Sequence, residues 1–189
     1  MAKAKTVTRT LSNAGRLRTL TVATSHKAVG QLAGESLVEY DGLYELIGDP
    51  DIVSLEVQPI TVQFVMGGRS VYYTPDVRFV RRDCRIGFRE FKQDIQSLEP
   101  EMATKLDIAR QLFTEQGYEF EVRDSHAIRT GRRIDNLRLL KRYAHWPMPQ
   151  SLQRRVMDFV GDRTDVCLQD LRDLVGAESL GALYRMVWE

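Results

Sequence analysis

Apolar residues recur along this chain with two periods, and the change from one to the other marks out its elements. Between Glu35 and Ile47 they fall at Leu37, Tyr40, Leu43, Tyr44 and Ile47, the spacing of one helical face. Gly48-Asp49-Pro50 stops that helix. The period then shortens. Ile52 to Gln58 reads as a strand interrupted by Pro59, and Ile60 to Met66 as another that runs into a Gly67-Gly68 turn signal. Val71 to Tyr73 and Asp76 to Arg81 continue the hairpin, with Pro75 as a break or edge residue, and Arg85 to Lys92 adds a further strand. Leu98 to Gln116 carries the strongest helical pattern, apolar at Met102, Leu106, Ala109, Leu112 and Phe113, and ends at Gly117. Tyr118 to Val122 is a short apolar strand. Helix, antiparallel strands, helix, strand is the order of an α/β fold with a mixed sheet flanked by helices.

The character changes after Val122. Ile134 to Tyr143 predicts a basic helix, Trp146-Pro147-Met148-Pro149 a linker, and three short helical patterns follow at 151–160, 168–175 and 178–188. The expected division is an N-terminal arm at 1–34, a main domain at 35–145 and a small helical region at 150–189. With 189 residues and 43% hydrophobic content, one ordinary domain with a real core and a small appendage is what the chain can build. No run of about 18 apolar residues offers a membrane span, and the N-terminus lacks the apolar stretch of a signal peptide. Cys84 and Cys167 stand far apart with no partner pattern, which predicts reduced thiols in a cytoplasmic protein. No Cys/His cluster has zinc spacing.

The net charge of +1 conceals an asymmetry. No acidic residue precedes Glu35, whereas Lys3, Lys5, Arg9, Arg16, Arg18 and Lys27 are all basic. A second basic stretch, from Arg123 to Arg155, includes Arg129, Arg132, Arg133, Arg138, Lys141, Arg142 and Arg154 against Asp124 and Asp135. Two local basic segments in a balanced chain suit phosphate contact by the arm and by residues such as Arg132 and Arg133, or a solvated surface.

The sharpest chemical signal is Tyr73-Thr74-Pro75-Asp76 followed by Glu90-Phe91-Lys92. Alternation puts Glu90 and Lys92 on one face of their strand and Phe91 on the other. Ile86 and Phe88 share the parity of Glu90 and Lys92, so that face is not purely solvent. If the neighbouring strand brings Asp76 alongside, two carboxylates and an ammonium converge. That set suits one or two Mg²⁺ ions, with Mn²⁺ as substitute, and a bound water that attacks a phosphodiester. Each residue also has a plainer use: Asp76 as a turn residue satisfying backbone donors after Pro75, Glu90 and Lys92 as a surface pair. Glu39 borders the apolar stripe of the first helix next to Leu43, while Glu35, Asp41 and Glu45 read as surface charges. Gln58 either orients a neighbouring group or caps its strand.

Taken together, Glu35-Ser-Leu-Val-Glu39-Tyr-Asp-Gly-Leu-Tyr-Glu, Asp49-Pro-Asp-Ile-Val-Ser-Leu-Glu-Val-Gln58-Pro59, Tyr73-Thr-Pro-Asp76 and Arg89-Glu90-Phe-Lys92 resemble the PD-(D/E)XK nuclease superfamily, and within it the TnsA family, over roughly residues 35–125. The resemblance implies a restriction-endonuclease-like fold. It implies Glu39, Asp76 and Lys92 as the catalytic set, with Glu90 at an acidic position that some members fill with Gln, and Glu39, Asp76 and Glu90 toward the metal. It also implies a bacterial endonuclease, nucleoid-associated when active, that cuts double-stranded DNA at the 5′ ends of a transposon. Its partners would be a TnsB-like DDE transposase and a TnsC-like AAA+ regulator, the latter through the C-terminal region. Leu168, Leu171, Leu174 and Gly176 before a third helix look like the start of a winged helix whose wing hairpin does not follow before Glu189. Two other functions fit the same residues: another nuclease of the superfamily, of restriction or repair type, and a non-catalytic DNA-binding or regulator-docking subunit. The joint presence of Asp76, Glu90 and Lys92 favours catalysis over the latter.

Overall fold

The computed structural model describes residues 21–23, 25–161 and 163–188, and the chain divides into two compact units, one up to Gly131 and one from Arg132. The division falls before the basic helix, earlier than the expected boundary near 145–150. Lys3, Lys5, Arg9, Arg16 and Arg18 lie outside the described residues.

In the first unit, β1 (Thr21–Ala23) and β2 (Leu32–Gly34) pair antiparallel, and α1 (Leu37–Ile47) follows directly. Residues 21–23 and 25–34 are therefore not part of a free arm. Their strands were hidden because each is three residues long, too short to show a period. Leu32 and Ala33 are buried, and the pair packs against α1. Lys27, expected to face phosphate, instead donates through Nζ to the carbonyls of Ile47 at 2.8 Å and Asp49 at 2.6 Å, closing the C-terminal end of α1. Burial lowers its pKa.

The main sheet has the order β3 (Ile52–Val57), β6 (Val77–Arg81), β7 (Ile86–Lys92), β8 (Glu119–Asp124). The first two pairings are antiparallel and β7–β8 is parallel, so the sheet is mixed. The parallel pair needs a crossover, which α2 (Pro100–Glu115) supplies. A separate hairpin, β4 (Val62–Met66) and β5 (Arg69–Tyr73), turns at Gly67-Gly68, both with the positive φ that such a turn requires. Its inner face joins α2 and the sheet in one core: Val62, Phe64 and Tyr73 pack with Phe88, Leu106, Ala109 and Phe113.

Strand β7 is the centre of this arrangement. Its even positions, Phe88 and Glu90, face the α2 side. Its odd positions, Gly87, Arg89 and Phe91, face the other side, and α1 lies over Phe91 there. Close approach requires Gly42, since a Cβ there would stand 2.1 Å from the Phe91 ring. The same face buries charge. Arg89 donates to Glu45 at 3.1 Å and to Glu121 at 2.6 Å, and Arg123 donates to the other oxygen of Glu45 at 2.6 Å. Arg129 on the short helix after β8, α3 (Ser125–Ile128), donates to Asp41 at 2.8 Å. Asp41 and Glu45, expected on the surface, are 1% and 6% exposed, while Leu37, expected in the apolar stripe, is 64% exposed. A helix that buries acids against arginines does not show its inner face as apolar. Arg123 and Arg129 are accordingly tied into the fold rather than offered to phosphate.

The second unit is helical: α4 (Arg133–Arg142), α5 (Gln150–Val160), α6 (Leu168–Val175) and α7 (Leu180–Trp188), with no strand among its described residues. Leu152, Val156, Val175, Ala182 and Leu183 form its core. Arg132 and Arg133 stand exposed at the start of α4. Cys84 and Cys167 are both free thiols and exposed, and no described helix is long and apolar enough to cross a membrane.

Breaking a buried ion pair from one side strands the partner's charge, which typically costs about 3–5 kcal/mol. Arg89→Leu is expected to destabilise the first unit by that amount in urea unfolding. Glu121→Gln, at a side chain 39% exposed, should cost under about 1 kcal/mol. Equal losses for the two variants would refute the ranking.

Candidate active site

Asp76 precedes β6 and the pair Glu90, Lys92 ends β7, and the antiparallel register brings them together: Val77 lies opposite Arg89. The Asp76 carboxylate reaches across and accepts the Phe91 amide through Oδ2 at 2.7 Å. That bond fixes one oxygen on the backbone between Glu90 and Lys92. Glu90 is 5% exposed and accepts on both oxygens, from Lys92 Nζ at 2.6 Å and from the Tyr73 hydroxyl at 2.8 Å. The alternation expected for β7 thus holds, with Glu90 and Lys92 on the face that also carries Phe88.

Tyr73 was visible in the sequence only as part of the string before Asp76. Its role follows from burial. A buried phenol needs a partner, and here its hydroxyl donates to Glu90. Burial first, and the Glu90 charge second, push its own ionisation far upward. Lys105 of α2 lies 5.7 Å above the Tyr73 ring.

Glu39 is placed differently. It stands in the first turn of α1, whose N-cap is Ser36. The Glu39 amide donates to Ser36 Oγ at 3.2 Å, while its carboxylate accepts the Glu35 amide at 2.8 Å and the Ser36 hydroxyl at 2.9 Å. This is half of a capping box: Ser36 takes the Glu39 amide, while the carboxylate takes the amide of Glu35, one residue before the cap, instead of that of Ser36. Among the described residues, no three Asp, Glu, His or Cys side chains come together closely enough to hold a metal ion. Glu39 therefore does not complete a preformed carboxylate triple with Asp76 and Glu90. It acts on Asp76 through its field.

That field is felt at Asp76, whose carboxyl is held well above the ordinary carboxylate range. Desolvation is the largest cause, then the Glu90 charge; the Phe91 amide opposes both, Glu39 adds to the rise, and Lys92 opposes it. Next to Asp76, Gln58 donates its backbone N–H to the Asp76 carbonyl at 2.8 Å. Gln58 has φ 48°, a conformation that L residues adopt only at a cost of about 1–3 kcal/mol. Its side-chain Oε1 is buried without a hydrogen-bond partner.

These features fit a divalent cation. Mg²⁺ is commonly held by one or two carboxylates, with water and substrate oxygens completing its shell. Asp76 and Glu90 supply two carboxylates, and the orphaned Gln58 oxygen shows that acceptors here outnumber donors.

A mixed α/β sheet flanked by helices, with a carboxylate pair and a lysine on adjacent strands, defines a restriction-endonuclease-like fold. Residues 49–125 match the family model described as TnsA-like endonuclease N terminal, which supports a TnsA-like nuclease. The match contains Gln58, Tyr73, Asp76, Glu90 and Lys92, and begins after α1, so Glu39 lies outside it. No curated protein matches the chain.

The raised Asp76 carboxyl has a stability consequence with a definite sign. It binds its proton more tightly folded than unfolded, so its stabilising contribution is complete below the ordinary carboxylate pKa, about 3.9. It is lost as pH rises through the higher folded value. Asp76→Asn, which can still accept from Phe91, should melt higher than the parent in chelator, with the gap widening as pH rises. A constant gap, or a lower midpoint for the variant, would contradict the assignment.

Proposed function

We propose that this chain is a Mg²⁺-dependent DNA endonuclease of the TnsA type, cleaving at the 5′ ends of a transposon during cut-and-paste transposition. The observation that carries the reading is the gathering of Asp76, Glu90 and Lys92 at the join of β6 and β7, inside the segment that matches the family model. The family likeness also motivates its partners: a TnsB-like DDE transposase that handles the 3′ ends, and a TnsC-like AAA+ regulator that meets the C-terminal helices.

In this reading Asp76 and Glu90 hold the cation. When bound, the cation lowers the pKa of a water and neutralises charge developing on the phosphate oxygens. Tyr73 keeps Glu90 from rotating away, and the Phe91 amide does the same for Asp76. Lys92, donating to Glu90 and 22% exposed, is within reach of solvent to hold the attacking water or a phosphate oxygen. The water oxygen bonds to phosphorus, the bond to the 3′ oxygen breaks, and that oxygen leaves as a 3′-hydroxyl opposite a 5′-phosphate.

Nicking by the chain reconstituted with a TnsB-like transposase tests this. Asp76→Ala and Lys92→Ala should each lower the rate of 5′-end cleavage by roughly 10²–10⁴-fold, the range for loss of a positioned electrostatic group, while 3′-end cleavage by the transposase continues. A Mn²⁺ anomalous peak beside Asp76 and Glu90, absent in Asp76→Ala, is the structural counterpart. Full 5′ cleavage by either variant would sink the proposal.

Arg132 and Arg133 serve the same reading as phosphate contacts, together with the basic N-terminal segment. Each phosphate neutralised contributes about 0.9 to the slope of log affinity against log salt on duplex DNA. Arg132→Ala with Arg133→Ala should flatten that slope by about 2 in a filter-binding or anisotropy titration. An unchanged slope would mean that these side chains do not contact phosphate.

A further inference from the structure

Three features of Gln58 coincide in one residue. Its backbone is in the left-handed region although it is not glycine. Its N–H is committed to the Asp76 carbonyl, one step beyond the pairing of Val57 with Val77, so it extends the β3–β6 ladder to lie across from Asp76. Its Oε1 is buried with no donor on it. The neighbouring cavity of about 400 Å³ is lined by Glu56, Pro59 and Ile60 but not by Gln58, so the orphaned oxygen does not open into that space. Pro59 supplies no N–H that could turn back onto it.

A glutamine kept in a conformation that glycine would adopt more easily, with its acceptor buried and unmet and its backbone bonded across to Asp76, is a poor choice for stability alone. The unmet group is an oxygen, and the residue across the ladder from it is Asp76. What satisfies both is a hard cation, or a water held on one. A donor side chain would serve Gln58 equally well, but among the described residues none reaches it.

We infer that Gln58 Oε1 is a third protein oxygen of the cation site, contacting the ion bound by Asp76 and Glu90 either directly or through one of its waters. The inference rests on the metal-dependent reading above and adds a neutral ligand to it, one from β3 rather than from the β6–β7 join. A neutral oxygen would draw the ion toward β3 without adding a charge that must be neutralised before DNA arrives.

The test is Mn²⁺ binding to the full chain without DNA, followed by calorimetry or by the electron-spin signal of free Mn²⁺, alongside thermal melting in chelator. Gln58→Gly removes the side chain and accepts φ 48° without strain. Gln58→Glu keeps the length and replaces the amide with a carboxylate. The expected results are Mn²⁺ affinity about 10–100-fold weaker for Gln58→Gly, the usual loss for a supporting metal contact, with a melting temperature in chelator equal to or above the parent's. Gln58→Glu should bind Mn²⁺ more tightly than the parent. Parent-like Mn²⁺ affinity in Gln58→Gly would overturn the inference while leaving the metal site standing, provided that Asp76→Ala loses binding. A parent chain that binds no Mn²⁺ would remove the metal-dependent reading and this inference together.

Discussion

Arg89 is the point on which the first unit turns. It sits on β7 between the core residue Phe88 and the site residue Glu90, and faces the opposite way from both. By pairing with Glu45 and Glu121 it links the inner side of β7 to α1 and β8 at once. Gly42 lets α1 come down onto Phe91, and the ion pair fixes where along the strand it does so. Because a strand alternates strictly, fixing Arg89 and Phe91 on one side fixes Glu90 and Lys92 on the other. A one-residue slip would send Glu90 under the helix and bring Arg89 to the face that Asp76 shares. The buried charge thus does for register what an apolar side chain at 89 would do less specifically.

The site was legible in the sequence because its logic is local. Two residues two apart on a strand share a face whatever the rest of the chain does, and a Pro-Asp at the start of the neighbouring strand needs only antiparallel pairing to meet them. The helices and the hairpin were legible for a similar reason: Met102, Leu106, Ala109 and Phe113 keep one face through about three turns, and Gly67-Gly68 marks a turn by conformation alone. What escaped depends on distant partners. Asp41 and Glu45 look like surface acids until Arg129, Arg89 and Arg123 are brought to them from residues 44 to 88 positions away. Lys27 looks like a phosphate contact until the end of α1 presents it with two carbonyls. In both cases the charge points outward in the sequence reading, to solvent or to phosphate, and the fold uses it internally.

Glu39 shows where a family likeness and local physics compete for one side chain. Ser36-x-x-Glu39 before an apolar run is itself a helix-start signal. Both carboxylate oxygens are engaged there, by the Glu35 amide and the Ser36 hydroxyl. Moving that carboxylate onto a cation would give up the cap, a loss of about 0.5–2 kcal/mol. That is small beside the electrostatic gain that a divalent ion offers a nearby anion, so the cap is a resting place rather than an obstacle. In that resting place Glu39 already contributes by raising the Asp76 carboxyl.

The remaining imbalance is one of acceptors over donors. Around the join of β6 and β7, the Phe91 amide, the Tyr73 hydroxyl and the Lys92 ammonium meet one oxygen of Asp76 and both of Glu90. The Gln58 oxygen is left without a donor, and Asp76 is left with a carboxyl that its surroundings prefer to protonate. An additional arginine would have balanced this corner, and the fold does place arginines against buried acids on the other face of the same sheet. The two faces of β7 therefore treat negative charge in opposite ways: compensated by arginines under α1, and left short of donors where Asp76 and Glu90 meet. That contrast within a single strand separates the structural acids from the chemical ones more sharply than burial does, since Glu45 and Glu90 are almost equally buried.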